Sequence, residues 1–115
     1  MRLTKQNVLN HRTRTPIALT QLGFGGAPLG NLYRKVEDGA AQATLDAAWN
    51  AGIRFFDTAP QYGLGLSEMR VGRGLARFDA SAVTLSTKVG RVLEDCAPED
   101  VTPEAFVDVP WKRIV

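Results

Sequence analysis

The chain is short of cysteine and histidine, with Cys96 and His11 the only examples in 115 residues. A single cysteine gives no disulfide framework within the chain and fits a reducing compartment. One histidine with one cysteine is too little for a structural zinc site. No run approaches the ~20 apolar residues that cross a bilayer. No short apolar core with a small-residue cleavage site follows Met1. A cytoplasmic protein without a membrane partner is therefore expected. Glycine fingerprints for phosphate are missing as well. Gly23-x-Gly25 would need a third glycine where Pro28 stands, and Gly72-x-Gly74 runs on to Arg77 inside a helical pattern. Neither is a Rossmann motif, and there is no P-loop.

Net charge is small, +2, which gives no footprint for nucleic acid. Acids are absent from residues 1–36, where six bases stand. The rest holds eight bases and twelve acids. A basic, acid-free start is one trait of a mitochondrial transit peptide, but no serine precedes Ser67 and Pro16 interrupts any amphipathic helix there. A solvated hairpin over residues 7–20 fits better. With 44% hydrophobic and 23% charged residues, the chain is expected to fold rather than stay disordered.

Strand and helix patterns alternate after that hairpin. Leu19 to Phe24 reads as a strand ending in the glycine-rich turn at 23–28. Asp38 is placed to cap a helix from Gly39 to Ala51, with Gly52 just past its end. Ala41, Leu45, Ala48 and Trp49 share one face of it. Ile53 to Asp57 is a compact strand. Ser67 is placed to cap a second helix running to Phe78, with Val71, Leu75 and Phe78 as its buried stripe. Gly72 and Ala76 on the same side predict close approach to a sheet. Val83 to Thr87 is the next strand. This order predicts an α/β fold with parallel βαβ units. Residues 94–110, with three prolines and six acids, read as a loop.

Three chemistry-bearing side chains stand where these strands give way to loops. Alternation puts Asp57 on the face of Ile53 and Phe55, and Lys88 on the face of Thr84 and Ser86. Neighbouring strands ~4.8 Å apart would let Asp57 and Lys88 pair at the C-terminal edge, where parallel α/β folds build active sites. Tyr62 follows Asp57 in the next loop. A nearby ammonium favours a phenolate and so lowers a phenol's pKa. The trio makes Tyr62 a candidate general acid for a carbonyl oxygen, or a base for an alcohol. Taken singly, each residue has an ordinary reading as a turn, packing or solvated group.

Gly-Ile-Arg-Phe-Phe-Asp-Thr-Ala at 52–59, followed by Tyr62-Gly63 and by Ser67-Glu68 with Val71-Gly72, resembles the signature of the aldo-keto reductases. Leu22 to Gly26 resembles their first barrel strand, and Ser86-Thr87-Lys88 their third. The resemblance covers about residues 16–92. It is similar in detail to the branch with L-fucose and D-threo-aldose dehydrogenases and pyridoxal 4-dehydrogenase relatives. It implies the N-terminal part of a (β/α)8 TIM barrel, with about three parallel strands and two helices behind a hairpin that plugs the base. It implies NAD or NADP bound without a Rossmann domain, and a small carbonyl or sugar substrate. Asp57, Tyr62 and Lys88 match three places of the family's catalytic tetrad. Gly25, Gly26 and Ala27 match a loop near the nicotinamide, with Asp57 beside them, and no metal is implied. The fourth place is a histidine after the fourth strand, which His11 does not match. The whole of 1–115 is then expected to be an N-terminal fragment of one barrel domain. The alternatives are a non-catalytic fragment and a regulatory subunit on the same fold.

Overall fold

A computed structural model describes residues 5–9, 16–89, 91–92 and 112–113. Strands β1 (Gln6–Leu9) and β2 (Ile17–Thr20) pair antiparallel, Gln6 opposite Thr20 and Leu9 opposite Ile17. This is the expected hairpin, with residues 10–15 outside the described part. Strands β3 (Gly23–Gly25), β4 (Phe55–Asp57) and β5 (Thr84–Ser86) form a parallel sheet in chain order. Helix α1 (Asp38–Asn50) lies between β3 and β4, and α2 (Leu66–Leu75) between β4 and β5. Two short strands, β6 (Arg91–Val92) and β7 (Lys112–Arg113), pair antiparallel. The predicted 94–110 loop and His11 fall outside the described residues.

The hairpin sits at the N-terminal end of the parallel sheet. The Thr20 hydroxyl accepts from the backbone N–H groups of Arg54 and Phe55, both at 3.2 Å, and donates to the Leu22 carbonyl at 2.7 Å. The Thr84 hydroxyl donates to the Ala18 carbonyl at 2.7 Å. These contacts join the hairpin to the starts of β4 and β5, which leaves the C-terminal edge for chemistry.

The core forms where both helices cover one sheet face. Phe56 is fully buried with Leu45 and Val71, and Leu29, Ala41, Ala48, Ile53 and Leu75 complete the cluster. Trp49 stacks flat on Phe78 with ring centroids 3.9 Å apart, and the Arg54 guanidinium lies 3.5 Å from the Trp49 ring centroid. A cation over an aromatic face is attractive because of the ring quadrupole. Helix α1 ends as expected, with Gly52 at φ +97°, a conformation that glycine adopts without strain.

The helix starts depart from expectation. Glu37 rather than Asp38 occupies the α1 cap, and neither helix carries a side-chain cap bond. Asp38 stands inside the first turn and accepts from Arg70 Nε at 3.0 Å and Nη2 at 2.8 Å. Gly65, at φ +96°, precedes α2, and Ser67 is already inside the helix with its hydroxyl used elsewhere. Helix α2 ends at Leu75 rather than Phe78, although Phe78 still packs on the core. The close approach also uses a different glycine. Gly72 has nothing within 4 Å of where a Cβ would stand, whereas a Cβ on Gly74 would meet Leu45 Cδ1 at 2.5 Å. The packed neighbour is therefore α1 rather than the sheet.

Arg70 has a structural task that its local sequence does not signal. Its guanidinium is nearly buried and donates to the carbonyls of Leu29 at 2.8 Å and Val36 at 2.7 Å. It also donates to the Asn31 side chain at 3.2 Å. One cation thus ties down the segment between β3 and α1, including the 3-10 turn Ala27–Gly30.

Two outcomes follow for stability. Gly72→Ala should raise it by up to ~1 kcal/mol through helix propensity, while Gly74→Ala should lower it by about 1–3 kcal/mol through overpacking against Leu45. Urea unfolding of both variants in the protein that contains this segment checks the pair. Arg70→Ala should cost about 2–3 kcal/mol, since the Leu29 and Val36 carbonyls lose their partner, and the same measurement reads it.

Candidate active site

The sheet register builds the site. Gly25 pairs with Asp57, and Asp57 with Ser86, so three strand ends lie side by side. Phe56 points into the core, so Asp57 must point to the other face. Phe55 shares that face, and a Cβ at Gly23 would meet its ring at 2.8 Å.

Asp57 is held from two sides. Ser86 Oγ donates to its Oδ1 at 2.6 Å, and Lys88 Nζ to its Oδ2 at 2.7 Å. Lys88 Nζ also donates to the Thr58 carbonyl at 2.9 Å. The ammonium lies 5.1 Å from the Tyr62 ring centroid. The structure thus brings the three chemistry-bearing residues of the sequence together. Partial burial pushes the Asp57 carboxyl up, but the hydrogen bonds from Lys88 and Ser86 and the Lys88 charge outweigh it and hold it below its ordinary value. Lys88 is held above its ordinary value, chiefly by the hydrogen bond to Asp57 and against desolvation, with the Asp57 charge and Tyr62 adding to the rise.

The loop carrying Tyr62 is fixed by backbone contact. Tyr62 N–H donates to the Ala59 carbonyl at 3.0 Å, and its own carbonyl accepts from Ser67 N–H at 2.9 Å. A Cβ on Gly30 would run into the Tyr62 backbone. Gly63, at φ +77°, leaves the same lack of room, with the Gly30 Cα 2.8 Å from where its Cβ would stand.

The 25–27 loop divides by role. Gly25 has nothing within 4 Å of where a Cβ would stand. Gly26 is walled in, since a Cβ there would lie 2.8 Å from both the Asp57 carbonyl and Ser67 Oγ. Gly26 N–H donates to that Asp57 carbonyl at 2.7 Å. Ala27 opens the 3-10 turn and is half-buried. Among the described residues no group of three His, Cys, Asp or Glu could hold a metal ion, and no helix is long and apolar enough to cross a membrane.

Parallel strands with interleaved helices, a hairpin at one end and polar groups at the other have the plan of a (β/α)8 barrel segment. Comparison with known proteins agrees. A solved aldo-keto reductase from Bacillus halodurans, in its holo form, superposes with a TM-score of 0.65 at 31% identity, covering 79% of this chain and 28% of that one. A glycerol dehydrogenase from Gluconobacter oxydans superposes with a TM-score of 0.64 at 26% identity, covering 99% and 31%. D-threo-aldose 1-dehydrogenase of Pseudomonas sp is 52% identical over 77 residues, 67% of this chain and 23% of the relative. Pyridoxal 4-dehydrogenase of Microbacterium luteolum is 49% identical over 80 residues, 70% of this chain and 23% of the relative. The chain spans about a quarter of the length of these curated relatives. Residues 21–112 match the aldo/keto reductase family, and the chain belongs to it.

The Asp57–Lys88 pair sets a pH window. The Asp57 contribution to stability is present above its ordinary 3.8 and fades as pH falls through its lower folded value. The Lys88 contribution is complete below its ordinary 10.5 and fades as pH rises through its higher folded value. Its size stays within about 1 kcal/mol, because both side chains are more than a third exposed or close to it. Asp57→Asn should return the Lys88 titration toward that of a free lysine, and side-chain NMR of Lys88 checks the direction.

Proposed function

We propose that this segment supplies the proton-handling corner of an NAD(P)-dependent oxidoreductase. Hydride would pass between the nicotinamide and a carbonyl or hydroxyl carbon of a small molecule, an aldose or a related aldehyde or alcohol. Tyr62 is the general acid for reduction and the base for oxidation. Lys88 tunes Tyr62 by its charge, and Asp57 keeps Lys88 charged and in place. The observation that carries this reading is the placement of the Lys88 ammonium. Two fixed acceptors hold it 5.1 Å from the Tyr62 ring centroid.

The residues fit a nicotinamide cofactor. Bare backbone at Gly25, beside the Asp57 carboxylate, leaves room for a flat ring where a side chain would stand. Gly26 and Ala27 shape the loop behind it. When bound, the cofactor would supply the hydride donor or acceptor, while this chain holds and moves the proton. The names of the relatives, an aldose dehydrogenase and a pyridoxal dehydrogenase, support a small carbonyl or alcohol substrate. Their greater length supports reading residues 1–115 as one part of a single barrel domain.

The test uses the full-length protein. Tyr62→Phe should cut turnover of aldoses with NAD or NADP by about 10²–10⁴-fold. Cofactor affinity, read by fluorescence titration, should stay within about twofold, because the phenol hydroxyl acts on substrate oxygen. Turnover equal to wild type would remove Tyr62 from the role.

A further inference from the structure

Two buried hydroxyls lie behind the site. Thr58 and Ser67 are almost completely buried, and their oxygens are 2.7 Å apart. Ser67 Oγ donates to the Gly26 carbonyl at 2.7 Å. A hydroxyl has one proton. With that of Ser67 committed to Gly26, Thr58 must be the donor between the two. The direction of the chain is thereby set: Thr58 to Ser67 to the Gly26 carbonyl.

Thr58 is also fixed through its peptide. Its N–H donates to the Ser86 carbonyl at 2.9 Å, and its own carbonyl accepts from Lys88 Nζ at 2.9 Å. An ammonium has three protons. One goes to Asp57 and one to Thr58, so the orientation of the head on its flexible stem depends on both acceptors. Asp57 alone would let the amine swing about one bond.

We propose that Thr58 is a positioning residue for Lys88. Its hydroxyl, locked through Ser67 onto the Gly26 carbonyl, immobilises the peptide carbonyl that keeps the ammonium facing Tyr62. The same chain of bonds ties the glycine loop at 25–27 to the amine, so both sides of the site share one anchor. The proposal rests on the oxidoreductase reading for its kinetic consequence only.

The test compares two substitutions of one side chain in the full-length protein. Thr58→Val keeps the shape and removes the hydroxyl, while Thr58→Ser keeps the hydroxyl and removes a methyl. In Thr58→Val, kcat should fall about tenfold with KM for the carbonyl substrate within about twofold, as expected for a displaced catalytic group. The Lys88 head should become more mobile, read by NMR relaxation of its side chain, while the Asp57 contact stays in place. Thr58→Ser should restore most of both properties. Should Thr58→Val fail to fold, Ser67→Ala breaks the chain of bonds from its other end and is read in the same way. Lys88 mobility unchanged in the folded hydroxyl-free variant, or a Thr58→Ser variant as impaired as Thr58→Val, would overturn the proposal. Wild-type protein inert toward NAD(P) would sink the oxidoreductase reading instead, and the mobility of the Lys88 head would still decide the role of Thr58.

Discussion

The register of three parallel strands is the constraint on which everything else depends. A slip of one residue would exchange the faces of every side chain. Phe56 would leave the core, and Asp57 would enter it. The hydrophobic demand of Phe56, packed among Leu45, Val71 and Ile53, is therefore what aims a carboxylate at the opposite face. Burial of a large aromatic is worth a few kcal/mol, far more than an exposed ion pair. The core positions the site, and the Asp57–Lys88 pair inherits its geometry.

Register places strand ends, but it leaves loops free. Two devices remove that freedom. Arg70 reaches from α2 to hold the carbonyls of Leu29 and Val36, and so fixes the stretch that follows β3. The Thr58–Ser67–Gly26 bonds fix the backbone where β3 and β4 end. Both devices use a side chain of α2, Arg70 in one and Ser67 in the other, so this short helix serves as the rear support of the C-terminal edge. A buried polar network is costly when one member is missing and rigid when all are satisfied. Among the described residues no buried side-chain polar atom lacks a partner.

Helix identity, chain order and the strands within 53–57 and 83–87 are legible in the sequence because apolar spacing reports burial directly, whereas the expected strand Leu19 to Phe24 is split between the end of β2 and the start of β3, which belong to different sheets. Asp57 and Lys88 were legible for a related reason: alternation along a strand says which residues share a face. The helix caps differ from those that residue type predicts. Asp38 and Ser67 are good capping types, but tertiary partners claimed both side chains, Arg70 in one case and Gly26 with Thr58 in the other. Helical spacing points to Gly72 as the close-approach position because it gives a face without saying which neighbour packs there. Arg70 carried no local signal at all. All four of its partners lie over thirty residues away, and two of them are backbone carbonyls, which have no letter in a sequence.

Gly30 and Gly63 touch through main-chain atoms alone. Neither position has a side chain that could shrink to make room for change in the other. The turn after β3 and the tyrosine loop are therefore mechanically one part. Anyone exchanging the mouth of this protein for that of a relative would have to transplant both pieces as a matched cassette, because a single graft would inherit a mate cut to a different shape.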